Sequence, residues 1–453
     1  MKSNISSFPR LQAFNMVVKL IIMHTNLTNL QNGNITLPTF PNMTALVLYS
    51  NGIRVVNRAL VRNNPSIQRL GLQRNRLTAI PVHALEELPD LRYLGLSDNN
   101  IVAIKAFAFR SNPFLEKLHL SSNKIQEIEE HAFSGLVHLG YLTLSRNFIE
   151  HFPFEETEYL PVLYKIDLRF NKIIMLSGKN KSVPASIQAI YLTYNYLQYL
   201  DDNILNILPN LKHLFVGDNQ ISQIGTLVYG KNSYNLISLS LNNNALTEIA
   251  VPFFRKLPNL ETLNLAHNRL TVIPKEVFIG SPSLRLINLA GNQIHSVHMA
   301  SFQGLRYIQR LDLTSNKLTG LPSSLFDSVE GNFDLLLRGN NLTCDCYINY
   351  IQEWLNKTYS IYVDGILCFI PEYGNHTILM SFEFDENCNF EATSVEIPTT
   401  NGTLTMTSSE TLGKNVMPLY WGAGVTFFVA FTALLLVIII RCVLKNNSVR
   451  DIS

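Results

Sequence analysis

The chain has 453 residues, a formal net charge of +2 and 15% charged residues. So small a net charge argues against nonspecific binding to nucleic acid. Hydrophobic residues make up 47%, and length alone would allow several domains.

Residues 1–16 (MKSNISSFPRLQAFNM) contain no apolar run of the kind that marks a secretory signal. They are expected to be a flank or partial N-terminal cap, in a sequence truncated at its start. From residue 17 a fixed pattern takes over. Asn recurs at Asn51, Asn75, Asn99, Asn123, Asn147, Asn171, Asn195, Asn219, Asn244, Asn268, Asn292, Asn316 and Asn340, always 24 residues apart except for one step of 25. Each Asn follows an L-x-x-L-x-L-x-x frame, as in Leu91, Leu94, Leu96 and Asn99. A first, degenerate frame runs Val17, Leu20, Ile22, with Thr25 in the Asn position. Periodicity of this length means stacked units that seal one another's apolar faces, and it predicts about 14 repeats over 17–343.

Within the frame, alternating leucines predict one strand per repeat, leucines inward and the residues between them outward. Asn then marks a sharp turn, where its carboxamide can both donate to and accept from exposed backbone groups; Asp lacks the donor. Ten residues after the Asn comes an aromatic row: Phe109, Phe133, Phe254, Phe278, Phe302 and Phe326. Thr157 and Lys181 interrupt it, which predicts an irregular outer surface near 174–186. Strands side by side at about 4.8 Å give an inner arc of roughly 60 Å, with the parallel sheet on the concave side.

Residues 344–388 hold four cysteines, Cys344, Cys346, Cys368 and Cys388. An even cluster outside a membrane predicts two disulfides, each C-x-C member reaching one of the later pair. A zinc site is the competing reading, although zinc ligands favour C-x2-4-C spacing. Residues 389–418 are rich in Ser and Thr and predict an extended stalk. No charge interrupts 419–440, flanked by Tyr420 and Trp421 at one end and by Arg441 and Lys445 at the other. This predicts one transmembrane helix with the N-terminal bulk outside, at the plasma membrane. Residues 441–453 form the cytoplasmic tail, with Cys442 placed for palmitoylation. Gly422, Thr426 and Ala430 form a small-residue ridge that suits a homodimer. Nine sequons precede the membrane segment, at Asn4, Asn26, Asn34, Asn42, Asn180, Asn341, Asn356, Asn375 and Asn401, and predict a glycosylated exterior.

The repeat frame and the NNLTCDC junction at 340–346 resemble the extracellular leucine-rich-repeat superfamily and its C-terminal cysteine cap. The resemblance implies an α/β-type solenoid and disulfides Cys344–Cys368 and Cys346–Cys388. It also implies an N-terminal cysteine cap, of which no residue is visible. The layout is similar to single-pass adhesion and receptor proteins. Toll-like receptors share the outer plan, but their large intracellular signalling domain has no counterpart in 13 tail residues.

Function is expected on the outward strand positions. One column reads Arg69, Tyr93, Lys117, Tyr141, Lys165; the next contributes His119, Tyr191 and Phe215; Phe170 and Tyr194 are expected further along the same strands. Aromatic and cationic residues on a rigid sheet supply binding hot spots, although strand propensity alone also favours Tyr and Phe. The expected ligand is an extracellular protein or an acidic glycan, and the expected role is adhesion or co-reception. Innate recognition of microbial ligands and matrix binding are the alternatives. His295 and His298 lack a third ligand for a metal, and no nucleophile elbow or phosphate loop appears, so neither an enzyme nor a cofactor is expected.

Overall fold

The computed structural model describes residues 17–25, 36–176, 186–200, 205, 208–225, 235–249, 251–330, 333–358 and 366–384. All belong to one compact unit within Met1–Ala392. Three-residue strands recur once per repeat and are numbered with the repeats. They are β1 (Lys19–Ile21), β2 (Ala45–Val47), β3 (Arg69–Gly71), β4 (Tyr93–Gly95), β5 (Lys117–His119), β6 (Tyr141–Thr143) and β7 (Lys165–Asp167). The series continues with β8 (Ala189–Tyr191), β9 (His213–Phe215), β10 (Ser238–Ser240), β11 (Thr262–Asn264), β12 (Leu286–Asn288), β13 (Arg310–Asp312) and β14 (Asp334–Leu336). They form one 14-stranded sheet in chain order. Neighbours pair in parallel, and the register places equivalent frame positions side by side, as in Tyr93↔Lys117 and Lys117↔Tyr141. Outward columns are therefore real rows of adjacent side chains.

The frame leucines are fully buried, among them Leu94, Leu118, Leu142, Leu214 and Leu311. The Asn ladder has one geometry throughout. Asn147 donates through Nδ2 to the Leu144 carbonyl of its own repeat at 2.8 Å and to the Leu120 carbonyl of the preceding one at 3.0 Å. Its Oδ1 accepts the Ile125 N–H at 3.0 Å. Thr25, in the degenerate frame, donates its N–H and its hydroxyl to Asn51 Oδ1. The residue before each Asn adopts a left-handed backbone conformation (Arg146 φ 56°, Tyr194 φ 59°), so the turn needs its carbonyls held from within.

Among the described residues the outer wall carries little α-helix. It has four-residue helices at Arg58–Val61, Val82–Leu85 and Val251–Phe254, a 3-10 helix at Phe154–Tyr159, and short parallel bridges. With 24 residues per repeat, little chain remains for a longer helix once the strand and its turns are formed. The aromatic row lies beneath this wall. Phe254, Phe278, Phe302 and Phe326 follow one another with centroids 5.9–6.0 Å apart. The predicted interruption at Thr157 is filled: Thr157 turns its hydroxyl onto the Phe154 carbonyl, and Phe154 is itself buried against Phe152. Lys181 and most of 174–186 lie outside the described residues.

After β14 come β15 (Leu342–Thr343), helix α1 (Cys346–Thr358), β16 (Leu367–Ile370) and β17 (Asn375–Ile378). Trp354 of α1 packs on Phe326 and Phe333, with centroids 5.2 and 4.6 Å away. A disulfide joins Cys344 to Cys368, as the resemblance implies. Cys388 is outside the described residues, so the second expected bridge is untested. The stalk, the 419–440 segment and the tail with Cys442 are outside as well. Among the described residues no helix is long and apolar enough to cross a membrane.

Candidate ligand-binding face

Seven of the ten predicted residues form one continuous strip across β3–β9. Arg69 lies 3.8 Å from the Tyr93 ring centroid. Tyr93 meets His119 at 5.1 Å, and His119 meets Tyr141 edge-on at 5.6 Å. Lys165 sits between two phenols, its Nζ 5.0 Å from the Tyr141 centroid and 4.7 Å from that of Tyr191. Tyr191 stacks on Phe215 at 4.9 Å. Such contacts hold each cation in a fixed position and add attraction of about 0.5–2 kcal/mol apiece. Lys117 is exposed between the two tyrosines of its column.

Phe170 and Tyr194 are not on the strands as expected. Both occupy the left-handed turn that follows, with φ of 56° and 59°. Three frame positions beyond β7 and β8, the turn swings them to the rim, where they stack at 4.3 Å with Arg146 over Phe170. Tyr194 is half exposed there.

The strip includes groups that reading two columns missed. Arg169 lies 5.6 Å from the Tyr191 centroid and is locked by buried Asp167 through bonds of 2.9 and 2.8 Å. His213, in the first column two strands beyond Lys165, lies parallel to Phe215 at 6.5 Å. Gln73 donates to the Tyr93 hydroxyl at 3.1 Å. It crosses the space left by Gly95, where a Cβ would strike its amide. Arg146 stands before its Asn as Phe170 and Tyr194 do, and Arg169 one position earlier, so the same frame count carried through every repeat would have found both.

Burial, and then the charge of Asp167, push the Tyr141 phenol up to about 12, so it keeps its proton at neutral pH. Burial first, then Lys117 and Arg69, lowers His119; burial, Lys212 and Lys165 lower His213. The strip's fixed positive charge therefore comes from Arg and Lys. Among the described residues Arg69, Lys117, Arg146 and Lys165 form no ion pair. Some cations elsewhere are matched, as in Arg58–Glu87, Arg92–Glu116 at 2.7 Å and Lys105–Glu129.

The profile of leucine rich repeats matches residues 41–101, 93–149, 113–173, 234–294 and 288–342, together more than half of the chain. The chain belongs to the leucine rich repeat family. Leucine-rich-repeat arrays generally mediate protein–protein interaction. No curated protein sequence matches the chain. Among solved structures, a leucine-rich-repeat protein of Leptospira interrogans is similar with 22% identity and TM-score 0.54, over 79% of this chain and 96% of that one. TLR13, solved in complex with ssRNA13, is similar with 22% identity and TM-score 0.58, over 81% of this chain. The match spans 52% of the TLR13 chain, about half its length. The LRIM1/APL1C complex aligns at 20% identity and TM-score 0.50, over 72% of this chain and 58% of that one. At these identities the likeness concerns the fold.

Proposed function

We propose that this leucine-rich-repeat protein is a single-pass plasma-membrane glycoprotein, an adhesion molecule or co-receptor. Its sheet face over β3–β9 captures an extracellular ligand. The observation carrying this reading is the strip of contiguous aromatic and cationic side chains, four of whose cations lack carboxylate partners. Unbalanced charge packed on rigid rings costs little ordering entropy when a complementary surface arrives. Placement outside the cell rests on the uncharged 419–440 run with basic residues after it. Exposure of the sequon residues Asn42, Asn341 and Asn375 and the Cys344–Cys368 disulfide agree with it. In this reading α1 and β15–β17 cap the open apolar end of the last repeat, with Trp354 as the main plug.

The test displays the full chain on cells and measures capture of labelled cell-surface and matrix material. Replacing both Tyr141 and Tyr191 with Ala should weaken capture by about 30-fold or more, the cost of a lost hot spot, with cell-surface display unchanged. Unchanged capture removes the claim. Capture of microbial in place of host material would make the chain a recognition receptor.

A further inference from the structure

The first column of the strip has an order that a general docking face does not require. Register pairs Arg69↔Tyr93, Tyr93↔Lys117, Lys117↔Tyr141 and Tyr141↔Lys165. Cation and phenol thus alternate strictly over five adjacent strands. The same column holds Ala45 before this run and Ala189 after it. With strands about 4.8 Å apart, positive charge returns every 10 Å or so, with a phenol hydroxyl between. From the geometry we infer that this column binds a linear acidic polysaccharide carrying a carboxylate on every second sugar. This rests on the reading of the face as the ligand site.

The match is one of period and of chemistry. An extended hexopyranose chain advances by roughly one strand spacing per sugar. Alternate uronates then fall opposite Arg69, Lys117 and Lys165, and the intervening sugars bring hydroxyl and amide groups to Tyr93 and Tyr141. The ring faces are already occupied by Arg69, His119 and Lys165. What the tyrosines offer a ligand is therefore their edges and hydroxyls, not a stacking platform. An extended acidic peptide repeats its side chains on one face every 7 Å or so, too short for this column. A polyproline-type acidic peptide repeats at about 9 Å, but its intervening side chains turn away and leave the phenols without polar partners. A nucleic-acid strand is charged far more densely than the column.

Calorimetry on the full-length chain in detergent decides the matter. The probe is a hyaluronan octasaccharide, with chitohexaose as the uncharged sugar. Polyglutamate and a peptide with Glu at every third residue of a polyproline helix supply charge without sugar. The octasaccharide should bind, shorter fragments should weaken below about five sugars, one per strand of the column, and the other three probes should bind at least tenfold more weakly. Lys117→Gln, and separately Lys165→Gln, should weaken the octasaccharide about tenfold or more, the size of one charge-assisted contact. Lys275→Gln, on the outer wall, should not. Matching melting curves for the variants establish that folding is intact. Equal binding of either peptide, or indifference to Lys117→Gln and Lys165→Gln, overturns the inference. If the octasaccharide fails while the displayed chain still captures its partner through Tyr141 and Tyr191, the inference falls and the docking face stands. If both fail, the docking face falls with it.

Discussion

The sheet face over β3–β9 and the second column over β10–β13 stand on one scaffold and carry different chemistry. Beneath both, the buried leucines and the Asn ladder are the same: Asn292 bonds the carbonyls of Leu265 and Leu289 as Asn147 bonds those of Leu120 and Leu144. Above, β3–β9 present large rings and unmatched cations. The later strands present Ser240, Asn264, Asn288 and Asp312, which turn back on their own chain. Asn264 accepts the Ala266 N–H at 3.1 Å, Asn288 that of Ala290 at 3.0 Å, and Asp312 the N–H and hydroxyl of Thr314. Polar groups satisfied locally gain little from a partner, whereas unmatched cations gain much. In the proposed reading the buried positions of each repeat carry most of the stability and the exposed ones the recognition.

The largest expected effect tests the shared half of that comparison. Asn147→Leu should leave the buried Ile125 N–H without its partner, at about 1–3 kcal/mol, and should take one of two donors from the Leu120 and Leu144 carbonyls, which keep Asn123 and Asn171. Asn292→Leu should cost about as much. Urea unfolding of the two variants should shift in parallel. A variant in one region that unfolds like the unmodified chain would mean that the ladder is not the common support.

A smaller effect comes from the outer wall under repeat 6, where Glu156 is buried in the 3-10 helix Phe154–Tyr159 and its Oε2 has no hydrogen-bond partner. Burial raises its pKa above the ordinary carboxylate value, against the hydrogen bond from the His131 main chain. The folded state therefore holds this proton more tightly than the unfolded one. Its stabilising contribution is complete in acid and is lost as pH rises through the folded pKa. Glu156→Gln, which removes the ionisation and keeps an acceptor, should raise the melting temperature at pH 7 and leave it nearly unaltered near pH 4. A gain that is equal at both pH values would show that charge burial is not the cause.

Period and patterning made the scaffold readable. The Asn spacing gave the strand count and the parallel register, because a repeating frame has few ways to stack. The Phe row was also readable, except where Phe154 fills the gap at Thr157 from a different position. The strip was half readable. Strand columns follow from alternation, so Arg69 through Lys165 could be placed. The residue before each Asn breaks the alternation by turning left-handed, which sent Phe170 and Tyr194 to the rim. Which cations lack carboxylates could not be read at all. Arg92 and Glu116 are 24 residues apart and become partners only when repeats stack, while Lys117, next to Glu116 in sequence, forms no ion pair among the described residues.

The smallest effect separates the two faces by their response to acid. His119 lies in the strip, and burial together with Lys117 and Arg69 holds its pKa below the ordinary value of 6.5. The unfolded chain takes up this proton first as pH falls through that value. Folding stability should therefore decline from there and level off once the folded imidazole also protonates. His213 adds a second decline of the same sign, from burial, Lys212 and Lys165. Replacing both with Phe should flatten the melting temperature between pH 7 and pH 5 relative to the unmodified chain. Ligand capture should move the opposite way. Each protonated imidazole adds positive charge beside Lys117 or Lys165, so an acidic ligand binds more tightly as the fold weakens. Parallel melting curves for variant and unmodified chain would remove the stability argument. Capture that weakens in acid would mean that the strip does not read negative charge.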